Sequence, residues 1–229
     1  LNPSRAVFYL QQAKDIAEEL NDPSGKMKVY YKLGAIYYGQ QEYDKSLEYQ
    51  LKGLELAQKT GNLIVQAACL NAVAMLYAYE YKEYDKAQKY ALQGLQIAEN
   101  LGDPYYLVGA LNALSNVYLF QERFKECEDA ALRAWAIDST IINLGSNLTY
   151  NIAVANIQMG KKMKALQFLK RYEEVKEEAS DKGHQEALME MEVKYETEKK
   201  ELRIASLEKE KQTYIWLGAT GVLLIITLG

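Results

Sequence analysis

Few residues in this chain could carry covalent or metal chemistry. There is one histidine, His184, and there are two cysteines, Cys69 and Cys127. Those counts exclude a disulfide scaffold, a cysteine-based zinc cluster and a three-histidine zinc site. A Cys–His–Asp trio is the one nucleophilic set they still allow. Cys127 falls at a small-residue packing position and Cys69 within an apolar phrase, so both read as buried and inert. No phosphate loop, dinucleotide fingerprint or nucleophile elbow occurs. The acidic residues sit on solvated helix faces and offer no acid/base pair. Asn147 and Thr149 form a glycosylation triplet of the kind that chance often supplies. No catalytic residue and no cofactor or metal is therefore expected in this stretch. What remains is amide and aromatic chemistry. There are 19 tyrosines, and Asn71 and Asn112 stand at the same place in a recurring phrase. An amide both donates and accepts hydrogen bonds.

The elements that must position these groups follow from composition and repeat. The chain has 229 residues, 49% hydrophobic and 25% charged, with 14 Gly and 3 Pro. Such a chain buries a sizeable core in one or two domains and is neither disordered nor collagen-like. A net charge of −4 argues against general nucleic-acid binding, which needs a basic surface. Aligned on itself, the chain gives three strong copies of one unit. Tyr30, Leu33, Gly34 and Tyr37 recur as Leu70, Val73, Ala74 and Tyr77, then as Leu111, Leu114, Ser115 and Tyr118. An aromatic and a small residue follow each copy: Tyr43 and Ser46, Tyr84 and Ala87, Phe124 and Cys127. Residues 1–22 fit the second half of an earlier unit. Residues 149–176 form a weaker last copy, with Asn156 where the tyrosine should be. A period near forty residues marks a solenoid of helical hairpins, each too small to bury its apolar face alone. Gly34, Ala74 and Ser115 let paired helices approach. Gly61 and Gly102 suit the left-handed residue that ends a helix. Asp22, Asn62 and Asp103 can cap the next helix, with Pro23 and Pro104 in its first turn.

This pattern resembles the tetratricopeptide repeat over residues 1 to about 180. Its length is similar to the long-helix subclass of kinesin light chains and bacterial peptide-pheromone receptors. It departs from the family where the usual inter-helix glycine is Gln41, Tyr81 or Glu122, and the turn before Tyr84 carries one extra residue. The resemblance implies that certain first-helix positions face a concave groove. By register these are Tyr31, Ala35 and Tyr38; Asn71, Met75 and Tyr79; Asn112, Asn116 and Phe120; then Tyr150 or Asn151, and Val154. Alternating amides and rings would suit an extended peptide or a protein loop. The groove lacks the lysines and arginines of a carboxylate clamp, which argues against chaperone-tail recognition. The other reading of the asparagines is that they bond within the solenoid or to water.

Beyond a turn at Asp181–Gly183, residues 184–212 read as a charged connecting helix. Pairs such as Glu190–Lys194 and Glu196–Lys200 have favourable helical spacing. Leu188, Met191, Tyr195, Leu202 and Ala205 give a thin apolar stripe, which leaves both a capping helix and a coiled coil with a second copy open. Residues 213–229 end in an apolar run. Its 16 uncharged residues from Tyr214 would span roughly 24 Å as a helix, against about 30 Å of hydrocarbon. Tyr214 and Trp216 stand where interfacial aromatics belong. The chain reads as incomplete at both ends, with 213–229 a truncated transmembrane helix in preference to a core segment.

The phrase from Met189 to Lys211, followed by an apolar helix, is similar to the juxtamembrane segment of Bacteroidetes sensor proteins. In that family the repeats precede one membrane span, and a histidine kinase or a LuxR-type helix-turn-helix output follows. His184 lacks the acidic-hydrophobic-Arg context of a kinase phosphoacceptor and reads as a surface residue. The resemblance implies a bacterial inner-membrane sensor with periplasmic repeats. Groove binding would be relayed through 184–212 to a cytoplasmic output, a histidine kinase in preference to a helix-turn-helix. The expected partners are a peptide or protein segment in the groove, the membrane through the last helix, and a second copy as an open option. The alternatives are a membrane-anchored scaffold without output and a soluble receptor whose last helix docks on a partner.

Overall fold

The computed structural model describes residues 3–137 and 142–178, with residues 180, 200, 203–208 and 211. The chain divides into a unit of Leu1–Glu177 and one of Glu178–Gly229. The first unit is all-helical among its described residues. Its helices are α1 (Pro3–Glu19), α2 (Pro23–Gly39), α3 (Tyr43–Thr60), α4 (Leu63–Tyr79), α5 (Tyr84–Leu101), α6 (Pro104–Phe120), α7 (Phe124–Ile137) and α8 (Ile142–Gln158), followed by α9 at 162–178. One lone second helix and four hairpins result, as the repeat predicts. In the second unit residues 203–208 are helical. Apart from residues 200 and 211, the rest of 184–212, with His184, and all of 213–229 lie outside the described residues. Among the described residues no helix is long and apolar enough to cross a membrane.

The helix starts obey the capping logic of the sequence. The Asp22 side chain accepts from Ser24 N–H, Asn62 from Val65 N–H and Asp103 from Tyr105 N–H. Pro23 and Pro104 occupy the first turn, where a missing N–H costs nothing. Each hairpin turn closes with a backbone bond to the residue at the tyrosine register. Glu42 N–H reaches Tyr37 O at 2.9 Å, Arg123 reaches Tyr118 at 2.9 Å and Lys161 reaches Asn156 at 2.8 Å. Asn156 thus holds the tyrosine's place. In the longer turn Glu83 N–H reaches Tyr77 O at 2.9 Å. There the left-handed residue is Lys82 (φ 55°), where the sequence alignment pointed to Tyr81, because the extra residue moves the turn one step along. Gln41 (φ 62°) and Glu122 (φ 59°) take the same conformation, which crowds a Cβ against the backbone at a cost of about 1 kcal/mol. Glu122→Gly is therefore expected to stabilise the protein by roughly 0.5–1 kcal/mol, read as a higher midpoint in urea unfolding.

Packing then sets the curvature. The first helices touch their neighbours directly, α2 on α4, α4 on α6 and α6 on α8, whereas the backbones of α3, α5 and α7 stay apart. The inner row is tighter than the outer row, so the first helices line a concave face. Leu33, Ala74, Val108, Leu111, Ala131, Leu148 and Ile152 are fully buried between the rows. The register tyrosines seal the hairpin ends. Tyr37 stacks on Tyr49 (5.5 Å, 11°) under Lys45, and Tyr77 on Tyr90 (5.6 Å, 10°) under Lys86. In the next copy Ala130 stands at the register of Tyr49 and Tyr90 and offers no ring, and Arg123 covers Tyr118 at 4.4 Å.

The last hairpin replaces the ring with charge. Glu128, only 1% exposed, accepts from Asn156 Nδ2 at 3.0 Å and Lys161 Nζ at 3.0 Å, and pairs with Lys164. Burial pushes its carboxyl up, but the bonds from Lys164, Lys161 and Asn156 outweigh it and hold the group down at about 2. Asn156 also donates to Ile152 O at 2.7 Å.

Candidate binding groove

Two adjoining cavities open on the concave face. The larger, about 500 Å³, lies between α4 and α6 and is lined by Tyr31, Asn71, Met75, Tyr105, Tyr106 and Asn112 among others. The smaller, about 270 Å³, lies between α2 and α4 and includes Tyr31, Ala35, Tyr38, Gln50, Ala72 and Met75. Among the described residues, neither cavity is lined by a charged side chain.

The amides divide into two kinds. Asn71 and Asn112 face the larger cavity, and their Oδ1 atoms are buried without a hydrogen-bond partner in the protein. Asn71 is pinned there by close packing: a Cβ on Gly94 would come within 2.6 Å of Asn71 Oδ1, so glycine is what leaves room for the amide. Asn112 is 5% exposed. A buried unpaired acceptor costs about 1–3 kcal/mol.

Asn116 and Asn151 serve the solenoid itself. Asn116 Oδ1 accepts from Tyr79 OH at 3.0 Å and from Asn151 Nδ2 at 2.9 Å. Its Nδ2 donates to Asn112 O at 2.9 Å. Asn151 Nδ2 also donates to Ser115 Oγ at 2.9 Å, and Ser115 Oγ donates to Asn112 O at 2.9 Å. This network crosses α4, α6 and α8. Burial, with smaller effects from Tyr38 and Tyr150, pushes the Tyr79 phenol up to about 12, so it remains a donor at any ordinary pH.

Of the sequence-derived positions, the structure brings Tyr31, Tyr38, Asn71, Met75 and Asn112 to the cavities. Tyr79, Asn116 and Asn151 form the internal network. Phe120 packs edge-on to Tyr79 (4.8 Å, 81°) and stacks parallel to Tyr84 at 6.0 Å. Tyr150 is exposed and lies against Tyr172 at 5.7 Å. Ile64, Val65, Tyr105 and Tyr106 also line the larger cavity. The sequence reading missed them because it followed the middle and C-terminal parts of each first helix, and these four occupy the first turn. The aromatic pair after Pro104 was the available signal.

Among the described residues no group of three or more His, Cys, Asp or Glu could hold a metal ion. Burial pushes the Cys69 thiol up to about 12 and, with Glu128 beside it, Cys127 to about 12. Neither supplies thiolate near neutral pH. Thr149 of the glycosylation triplet is buried and donates to Gly145 O at 2.9 Å within α8.

Residues 26–100 match the family model for the tetratricopeptide repeat. No curated protein sequence matches the chain. Among solved structures, the apo form of RapI superposes with a TM-score of 0.70 at 15% identity, over 80% of this chain and 67% of that one. A Rap protein complexed with Competence and Sporulation Factor gives 0.68 at 19% identity, over 77% of this chain and 50% of that one. A Podosopora anserina putative kinesin light chain with nearly identical TPR-like repeats gives 0.59 at 14% identity, over 77% and 88%. At these identities the likeness is one of fold. Residues 26–100 thus match the tetratricopeptide repeat, and the described helices on either side continue the same hairpin stacking as a solenoid of that fold.

Proposed function

We propose that the concave groove is the ligand site of a membrane-bound signal-transduction protein and takes a peptide or protein segment. The observation that carries the site is the pair of adjoining uncharged cavities on the concave face, lined by Tyr31, Asn71, Met75 and Asn112 among others. The Rap protein solved with Competence and Sporulation Factor gives a ligand-bound precedent within the same fold. A ligand in the larger cavity lies against Asn112, the residue whose carbonyl anchors Asn116 and Ser115, and through them α4 and α8. Occupancy of the groove would then adjust the angles between hairpins, and with them the curvature of the solenoid. Residues 184–212 would pass that change to the apolar segment 213–229 and to an output domain beyond the membrane, with a histidine kinase favoured by the juxtamembrane resemblance. The repeats would face the periplasm of a bacterial inner membrane.

Fractionation of the natural protein tests the membrane half of this reading. The protein is expected to sediment with membranes and to be released by detergent but not by high salt or alkaline carbonate. A chain ending at 212 is expected in the supernatant. Equal partition of the two chains would remove the membrane relay and leave a groove-binding module.

A further inference from the structure

Consecutive hairpins of the solenoid are fastened unequally. On the concave side Tyr79 ties α4 to Asn116 of α6, and Asn151 ties α8 to Ser115 and Asn116. The side-chain hydrogen bonds that link α2 to other helices go to α1 and α3. Among the described residues none joins α2 to α4. These two helices also run alongside each other over a shorter stretch than α4 and α6 or α6 and α8. The smaller cavity, about 270 Å³, opens between them, and Ala35, Ala68 and Ala72 line it with short side chains. Space is therefore available for α2 to approach α4.

The outer side of the same junction is close-packed. A Cβ on Gly53 of α3 would meet Cys69 Sγ of α4 at 3.3 Å, and Leu54 is buried against Cys69 and Leu70. A tight contact on one side and a gap on the other is the geometry of a hinge. At the turn end, Tyr81 OH donates to Asp44 Oδ1 at 2.6 Å across the junction, in an exposed bond. Tyr81 belongs to the turn with the extra residue, and with Tyr43, Asp44 and Glu80 it lines an open cleft. Later junctions carry less exposed ties in this place. Gln88 accepts from Gln121 at 3.0 Å and from Arg123 at 3.2 Å, and Glu128 accepts from Lys161 at 3.0 Å.

We infer that the α2–α3 hairpin is a hinged jaw. Helix α2 swings toward and away from α4 about the α3–α4 contact, the Tyr81–Asp44 bond latches it, and α4 to α8 move as one body. The position of α2 sets the size of the smaller cavity, so the jaw governs what that part of the groove admits. The motion needs no ligand, and its failure would leave the groove-binding reading standing.

Distances between nitroxide labels on the full chain test the jaw. Ser24 and Ile64 hold equivalent exposed places in the first turns of α2 and α4, and Lys125 on α7 is an exposed reference. Cysteines are placed at 24 and 125 in one protein and at 64 and 125 in another. The native Cys69 and Cys127 are buried, with thiols pushed up to about 12, and stay unlabelled. Double electron–electron resonance is expected to give a 24–125 distribution about twice as wide as the 64–125 one. Tyr81→Phe, which removes only the latching hydroxyl, should widen the first further and leave the second unchanged. Gln88→Ala should leave the 64–125 width unchanged, because Asn116 still holds α4 to α6. Equal widths, or a 24–125 distribution indifferent to Tyr81→Phe, would overturn the jaw. Broadening of the 64–125 distribution by Gln88→Ala would overturn the single rigid body on which it closes.

Discussion

Glu128→Gln is expected to lower stability by about 2–3 kcal/mol at neutral pH. The carboxyl is buried, and two lysines and an amide hold it at about 2. A folded-state value below the unfolded one, near 4.3, means the stabilisation is complete above about pH 5. It is lost as pH falls from there through about 2. The upper end of the range follows from the depression itself, and the lower end allows for Lys161 and Lys164 being 44% and 38% exposed and screened by solvent. Urea unfolding of both proteins at a series of pH values gives the check. The difference between them should be largest at neutral pH and vanish near pH 2. A difference that stays constant with pH would mean that the ion pairs contribute nothing and that shape alone is at stake.

The second large effect concerns the asparagine network. Asn116→Leu removes the acceptor for Tyr79 OH and for Asn151 Nδ2 inside a packed site, and the expected loss is about 2–3 kcal/mol. Asn151→Leu alone is expected to cost about 2 kcal/mol, because Asn116 and Ser115 lose a donor. The double variant should cost clearly less than the sum, since two apolar groups then meet where two amides were paired. A double-mutant cycle by chemical denaturation measures that coupling. Strict additivity would show that the two amides act independently and that nothing passes between α6 and α8 through them.

Much of the solenoid was legible because its physics is local. A cap, a proline in the first turn and a left-handed glycine are each set by a few adjacent residues, and they place the ends of α2 to α6 closely. The tyrosine register was legible for the same reason, since each ring is repeated with its neighbours. The groove was harder to read. Asn71 and Asn116 are both asparagines on first helices, and only the third dimension shows that one is left facing a cavity while the other is consumed by Tyr79 and Asn151. Glu128 was invisible as a single residue among 31 acidic ones. The missing tyrosine at Asn156, followed by Lys161 and Lys164, was the trace it left, but joining them requires knowing that α7, α8 and α9 meet there.

The central claim is that ligands engage the concave first-helix face. Site-specific photo-crosslinking in living cells tests it most directly, with benzoylphenylalanine placed at Met75 or Tyr38 in the groove, or at Lys59 or Lys125 on the second helices. The account predicts adducts from Met75 and Tyr38 that disappear when Asn112→Leu is added, and none from Lys59 or Lys125. Adducts confined to the second helices, or groove adducts untouched by Asn112→Leu, would contradict it.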